Sequence, residues 1–210
     1  MKKLIIIFLS ISSFSLSAQD YLSAMQNNLK QLDAAETPQN YTGLALSFER
    51  IAVAEQTKWH PYYYQAFCLL AKSFLIEGAD DRDKLVDAAE AIIEKAGQLG
   101  GDKAELSVLQ ARAYQARLSV DPASRSMQYG PKTTMLLAEA RAKNPNNPRV
   151  LFLLGQNLLF TPEGYGGGKD RALPLIEKAV AIFNTAPTEP TVDPSWGRDE
   201  ANSLLANAKK

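Results

Sequence analysis

The sequence contains one cysteine and one histidine, and this scarcity excludes several kinds of site. Cys68 alone cannot form an intramolecular disulfide, so the fold must be held by burial of an apolar core. A zinc signature needs several Cys or His residues at close spacing, and none occurs. His60 and Cys68 lie about two turns apart along one predicted helix, too far for a Cys–His nucleophilic pair. We therefore predict no enzyme activity, no metal site and no cofactor.

The chain also lacks an excess of either charge. Lys and Arg together number 23, as do Asp and Glu. Loss of Lys2 and Lys3 with a signal peptide would leave a slightly acidic chain. Because nucleic-acid binding rests on a basic surface, we expect no nucleic-acid partner.

A long apolar run is missing as well. Lys2 and Lys3 precede an apolar stretch over residues 4–14, which is only about half of the roughly 20 residues that a membrane-spanning helix requires. Small residues follow and end at Ala18, which is the anatomy of a secretory signal peptide. We predict a signal peptide over residues 1–18, cleaved after Ala18, with a retained membrane anchor as the alternative.

The mature chain would be a single domain over residues 19–210, long enough to bury a core without disulfides. Cys68 lies far from the cleavage site, so no thiol is placed there for lipid attachment. We expect a periplasmic or secreted protein without stable membrane insertion after cleavage.

Strand patterns are nearly absent, whereas apolar residues recur at spacings of three and four throughout. Pro or Asp residues open the apolar segments, and Gly or Asn-Pro pairs close them. The sequence therefore predicts an all-α fold with helices at about 20–35, 38–56, 61–77, 82–98, 102–119, 131–143, 148–160, 169–184 and 194–208.

The predicted helices form pairs that repeat weakly. One position recurs in the first helix of each pair and is usually small: Gln26, Ala71, Ala111 and Gly155. Second helices carry small or apolar residues at offsets 0, 4 and 7, as in Ala172, Ile176 and Ala179. Small residues at these positions let neighbouring helices approach closely.

This pattern resembles the tetratricopeptide repeat, and residues 138–148 are similar to that family's repeat ending with its Asn-Pro junction. The spacing between the recurring positions exceeds the usual repeat of about 34 residues, so HEAT or armadillo repeats remain an alternative. The resemblance implies an α-α superhelix of about four helical hairpins, followed by a polar C-terminal capping helix.

Two segments between helices are unusually long. Residues 161–172 contain three consecutive glycines before Lys169, but they lack the first glycine and the Ser or Thr of a phosphate loop. They are interpreted either as an inter-helix turn or as a partner-binding loop that presents Tyr165 and Lys169. Residues 121–131 are interpreted as a second enlarged turn, either a packed spacer or a binding loop.

The resemblance also implies a concave groove lined by the first helix of each pair. Positions matching the family's groove residues combine long polar side chains with apolar neighbours. They are Asn27, Lys72, Val108, Arg112, Phe152 and Gln156.

Such a groove suits an extended peptide or a carboxylate. We therefore predict an exported interaction or scaffold module that binds a protein or peptide partner in this groove. The alternative is a periplasmic small-molecule carrier or an accessory subunit of a transport system. An enclosed apolar pocket would favour the carrier, whereas an open polar groove would favour the scaffold.

Overall fold

A computed structural model of the protein describes residues 12–186 and 191–210. These residues form α-helices joined by short connections, without a β-strand among them, which confirms the all-α fold class. The helices are α1 Ser12–Leu32, α2 Pro38–Ala54, α3 His60–Ser73, α4 Ala79–Gln98, α5 Lys103–Val120, α6 Pro122–Lys143, α7 Pro148–Phe160, α8 Lys169–Thr185 and α9 Arg198–Ala208. Within the same residues, no helix has the length and apolarity required to cross a membrane.

Four of the described helices begin at a residue whose side chain caps the helix: α2, α5, α6 and α7. Thr37 and Asn40 form a reciprocal capping box at the start of α2. Asp102 accepts a hydrogen bond from the backbone N–H of Glu105 at the start of α5, and Asn147 caps α7 in the same way before Pro148. Each cap satisfies a backbone N–H that the helix itself leaves without a partner.

Helices that are adjacent in sequence pack against one another, and α7 packs tightly against α8 at Gly155. A Cβ atom built on Gly155 would lie 2.6 Å from Cγ1 of Ile176 and 3.2 Å from the carbonyl oxygen of Ala172. No larger residue fits there without displacing α8. Gly155 therefore sets the distance between these two helices.

The core consists of two apolar clusters that share α5. The first is built around Phe48, Tyr63 and Leu70 from α2 and α3. The second is built around Leu151 and Leu175 from α7 and α8. Because α5 contributes buried residues to both clusters, the two halves of the chain are packed as one body.

After α8 the chain returns to α3, over residues 191–197, which we term the return segment. His60 Nε2 lies 3.0 Å from Asp193 Oδ1, and Tyr64 donates its hydroxyl to the carbonyl oxygen of Asp193 at 2.9 Å. Trp196 donates its indole N–H to the hydroxyl of Tyr63 at 2.9 Å. The return segment thus fastens the end of the chain to its first half.

A buried polar network supports this arrangement, with the Glu105 carboxylate at its centre. It accepts hydrogen bonds from the Tyr63 hydroxyl at 3.1 Å, from the Asn147 amide at 2.6 Å and from Nη2 of Arg149 at 2.7 Å. Arg149 also donates to the carbonyl oxygen of Trp196 at 3.4 Å. The network links α3, α5, α7 and the return segment.

The expected turn over residues 121–131 is wrong, because α6 already begins at Pro122. Asp121 caps it by accepting a hydrogen bond from the backbone N–H of Ser124. Arg125 then binds both carboxylate oxygens of Asp83, at 2.8 and 2.7 Å, and holds this first part of α6 against α4. These contacts keep the segment helical although Pro131 removes one backbone hydrogen bond in mid-helix.

Two other boundaries differ from expectation. The last helix starts at Arg198 rather than at residue 194, because the preceding residues are engaged in the return segment. The first helix starts at Ser12, before the predicted cleavage after Ala18. Residues 1–11 of the predicted signal peptide lie outside the described part of the chain.

Candidate functional site

A cavity of about 1090 Å³, which we term the main cavity, opens between α5, α6, α7 and the loop before α8. Arg112 and Gln115 reach it from α5, and Phe152 and Gln156 reach it from α7. Its volume lies slightly above the range of about 300–1,000 Å³ that is typical of small-molecule sites. The helix packing therefore leaves room for a sizeable organic ligand.

The walls of the main cavity carry large apolar side chains that remain exposed. Met127 and Met135 from α6 are 73% and 65% exposed, and Phe160 at the end of α7 is 74% exposed. Tyr165 is 76% exposed and Phe74 is 38% exposed. A contiguous apolar surface of this kind marks an interaction site.

The glycine-rich loop positions Tyr165 at the rim of the main cavity. Residues Glu163–Tyr165 form one turn of 3-10 helix, and Gly166 follows with a left-handed φ of 85°. Gly168 donates its N–H to the carbonyl oxygen of Leu158 at 2.9 Å, which folds the loop back onto α7. The glycines thus serve a tight turn, as one of the two interpretations of this segment expects.

Polar side chains in the main cavity are mostly paired with each other. The Gln115 amide donates to the side-chain oxygen of Gln156 at 3.2 Å. The Asn157 amide donates to the Thr134 hydroxyl at 2.7 Å. These pairs fix the side chains and reduce the cavity's own polarity.

Arg112 differs from these paired groups, because aromatic rings surround its guanidinium. Its Cζ lies 4.9 Å from the ring centre of Trp196, 5.5 Å from that of Phe67 and 5.6 Å from that of Phe74. Its Nε is buried and makes no hydrogen bond to any described residue. Burial lowers the pKa of Arg112, opposed in part by the negative charge of Glu200.

A second cavity of about 310 Å³ lies between α1, α2, α3 and the start of α9. Asp33, Tyr41 and Trp196 contribute to its lining, and Glu200 borders both cavities. Burial raises the pKa of Asp33, with a smaller effect from the charge of Asp199. This cavity is small and polar in comparison with the main cavity.

The structure brings four of the eight predicted site residues together. Arg112, Phe152, Gln156 and Tyr165 all line the main cavity. Groove and loop, which the sequence treated as separate candidates, therefore form one site. The shared position of α5 and α7 on one side of the molecule accounts for this.

The other four predicted residues lie elsewhere. Asn27 is exposed on α1, Lys72 is partly buried on α3 and Lys169 is exposed at the start of α8, and none of them lines the main cavity. Val108 is completely buried in the core, so it has no surface to offer a partner. The expected continuous groove along all first helices is thus interrupted.

Sequence reasoning did not assign Phe74, Met127, Met135 and Phe160 to a site. Met127 lies in the segment that was expected to be a turn, and Met135 lies on the exposed side of α6. The sequence did contain a signal for an apolar interaction surface, because these large apolar residues fall outside the buried face of their helices. Which surface they share depends on how α6 packs against α5 and α7.

The single histidine and the single cysteine, which carry the most reactive side chains of the protein, lie outside the main cavity. His60 stacks on Trp59 with ring centres 3.9 Å apart, and it contacts Asp193 in the return segment. Cys68 is completely buried, and burial raises the pKa of its thiol. Neither residue lines the main cavity.

Comparison with known proteins relates the chain to a solved structure. No family model and no curated protein sequence matches the chain. The solved structure of the HusA haemophore from Porphyromonas gingivalis matches with a TM-score of 0.82 and 40% sequence identity, over 90% of this chain and 92% of that one. The chain belongs to the HusA haemophore family.

Membership of the HusA family corrects the main functional prediction. The expected scaffold that binds a peptide or protein partner is wrong, because the related HusA protein is a haemophore. The groove was interpreted from side chains on α5 and α7 without knowledge of the apolar wall that α6 adds. With that wall the site becomes a broad cavity with apolar walls and few polar groups, which is typical of a small-molecule site, although it is more open than the enclosed pocket that was expected of a carrier.

Proposed function

We propose that this protein binds haem in the main cavity and carries it without a chemical step. The observation that carries the proposal is the apolar, 1090 Å³ cavity in a chain that shares 40% identity with a haemophore over nearly its whole length. Haem is flat, largely apolar and has carboxylates along one edge. A wide cleft with apolar walls and few polar groups is the matching surface.

Burial of apolar surface would supply most of the binding energy. Met127, Met135, Phe160 and Tyr165 each expose most of their side chain at the main cavity. Covering a large apolar side chain contributes about 1.5–3 kcal/mol when burial is complete. Several such contacts around one ring are sufficient for tight binding, even after the cost of association.

Histidine ligation of the haem iron is not expected. The single histidine, His60, is held by Asp193 outside the main cavity, and Cys68 is buried in the core. Among the lining residues, Met127, Met135 and Tyr165 are of the types that serve as axial haem ligands. We expect iron-free porphyrin to bind as well, because the affinity rests on the ring.

The proposal is tested by titration of the protein with haemin, followed by the Soret absorbance and by quenching of the tryptophan fluorescence. Phe160→Ala should raise the Kd for haemin by about tenfold to a hundredfold, which corresponds to the loss of the binding free energy of one buried apolar side chain. Leu46→Ala is the matched control, because Leu46 is 51% exposed but lies on α2 outside the main cavity. His60→Ala should leave the affinity unchanged.

Two results would contradict the proposal. One is the absence of saturable binding by the wild-type protein. The other is equal weakening by Phe160→Ala and Leu46→Ala, which would indicate general adhesion of haemin to exposed apolar residues.

We further propose that the carrier acts outside the cytoplasm, in the periplasm or beyond. Support comes from the signal-peptide pattern of residues 1–18 and from the relationship to a haemophore. The mature chain should begin at Gln19 or within two residues of it. Intact-mass measurement of the exported protein tests this, and a product that retains Met1 would contradict it.

We also propose that the helix pairs stack as a tetratricopeptide-like superhelix. Support comes from Ala71, Ala111 and Gly155, which occupy equivalent positions and are all buried, although Gln26 at the first such position is exposed. An experimental structure in which successive pairs are not related by a common rotation would contradict this arrangement and favour another helical repeat.

A further inference from the structure

The Arg112 guanidinium is unusual among the buried or partly buried arginines of this protein. Arg117, Arg125 and Arg149 each donate to a carboxylate at 2.5–2.7 Å, and Arg82 donates to two backbone carbonyl oxygens. Among the described residues, no carboxylate lies within 4.0 Å of a guanidinium nitrogen of Arg112. Three aromatic rings at 4.9–5.6 Å take the place of an anionic partner.

An unpaired guanidinium in this environment is poorly solvated. The rings of Phe67, Phe74 and Trp196 attract the cation through their faces but offer it no hydrogen-bond acceptor. The Arg112 Nε is buried without a hydrogen bond to any described residue. A buried charge or polar group without a partner raises the free energy of the protein. An anion that enters the main cavity would give the guanidinium a partner and so remove this free-energy cost.

Arg112 is the lining residue best suited to bind an anion in the main cavity. It is the only Lys or Arg among them, and the amides of Gln115 and Asn157 already donate to neighbouring side chains. The only acidic lining residue is Glu200, an exposed residue on α9 that lies beyond ion-pair distance of Arg112. A ligand carboxylate would therefore meet one strong donor and one repelling charge.

We propose that Arg112 is the carboxylate anchor of the main cavity and selects planar apolar ligands that carry a free carboxylate. This inference rests on the proposed haem-binding function and adds an orientation to it. The carboxylate edge of the ring faces α5, where Arg112 donates charge-assisted hydrogen bonds. The apolar part of the ring lies against Met127, Met135 and Phe160. Arg112 acts in ligand selection and orientation, while the apolar walls supply the bulk of the affinity.

The test compares iron-free mesoporphyrin IX, a dicarboxylic acid, with its dimethyl ester in the same mild detergent. Both have the same apolar ring, and neither offers an iron atom to a protein ligand. Binding is followed by porphyrin fluorescence. Wild-type protein should bind the diacid about tenfold or more tightly than the diester, as expected for hydrogen bonds to a charged group.

Three variants assign the difference to Arg112. Arg112→Met should weaken binding of the diacid about tenfold or more and leave the diester unaffected. Glu200→Gln should tighten binding of the diacid alone, because it removes the repelling charge. Lys132→Met is the charge-matched control, since Lys132 is exposed on α6 outside the main cavity, and it should change neither affinity.

The outcomes separate this inference from the proposed function. If wild-type protein binds diacid and diester equally, the ring site stands and the carboxylate anchor is wrong. If wild-type protein binds neither porphyrin, both are wrong. If Arg112→Met is folded by circular dichroism but weakens both ligands equally, Arg112 acts through the aromatic packing and the anchor is again wrong. Should Arg112→Met not fold, the wild-type ratio and Glu200→Gln decide the question without it.

Discussion

Replacement of Glu105 with glutamine tests whether the buried polar network holds the two halves of the protein together. The carboxylate is 5% exposed and accepts hydrogen bonds from Tyr63, Asn147 and Arg149 at 2.6–3.1 Å. All of its partners are donors, so both of its oxygens are required as acceptors. Glutamine keeps the shape but replaces one acceptor by an NH₂ group that faces other donors.

The expected loss of stability follows from what remains after the change. Arg149 is 9% exposed, and its carboxylate partner in the network is Glu105. Removing one partner of a buried ion pair costs about 3–5 kcal/mol, because the other charge is left uncompensated. Glu105→Gln should therefore lower the free energy of unfolding by about this amount. Hydrogen exchange over the return segment should also accelerate, since Arg149 binds the carbonyl oxygen of Trp196.

The assay is urea unfolding followed by circular dichroism, with the wild-type protein and a surface control measured together. Asp81→Asn breaks an ion pair with Lys84 in which both side chains are more than 70% exposed, so it should cost at most about 1 kcal/mol. A Glu105→Gln protein no less stable than the Asp81→Asn control would refute the reasoning. In that case the network would contribute to orientation of the helices without contributing to stability.

Three further predictions concern packing, pH and thiol reactivity. Gly155→Ala should lower the free energy of unfolding by about 1–3 kcal/mol, because the added Cβ would lie 2.6 Å from Cγ1 of Ile176. Gly43→Ala should raise the free energy of unfolding by up to about 1 kcal/mol, because no atom lies within 4 Å of the added Cβ. Both are measured by urea unfolding, and equal effects of the two substitutions would refute the close contact at Gly155. Hydrogen bonds from a neighbouring arginine lower the pKa of Asp83, so its contribution to stability is present at neutral pH and is lost as pH falls through that lowered pKa. Asp83→Asn should thus destabilise the protein at about pH 7 but hardly at pH values below its folded-state pKa, and a pH-independent effect would contradict this. Burial raises the pKa of Cys68, so iodoacetamide should label it only in urea, as read by intact mass, and rapid labelling of native protein would contradict its burial.

Helix positions were predictable wherever the decisive contacts are local. The prediction of 148–160 matches α7, Pro148–Phe160, because Asn147 caps the helix and Pro148 occupies its first turn. The same holds for the start of α8 at Lys169, which follows a glycine turn. The start of α6 was missed because Pro131 was taken as its opener, whereas a distant ion pair to Asp83 keeps the preceding residues helical.

The site was predictable in part for the same reason. The resemblance to the tetratricopeptide repeat pointed to Arg112, Phe152 and Gln156, because it implies that these positions face one common groove, and all three line the main cavity. No sequence pattern connected them to Met127, Met135 or Phe160, or identified the aromatic rings around Arg112.

The sequence by itself determined the helical class and most helix ends, since these depend on composition and on contacts within a few residues. Tertiary structure alone decided that α6 adds an apolar wall to the groove and that Trp196 returns across about 130 residues to contact Tyr63. The reason is that a cavity is formed by surfaces left uncovered when helices pack. Which surfaces remain uncovered depends on the packing of all the helices at once, and no local sequence signal records it.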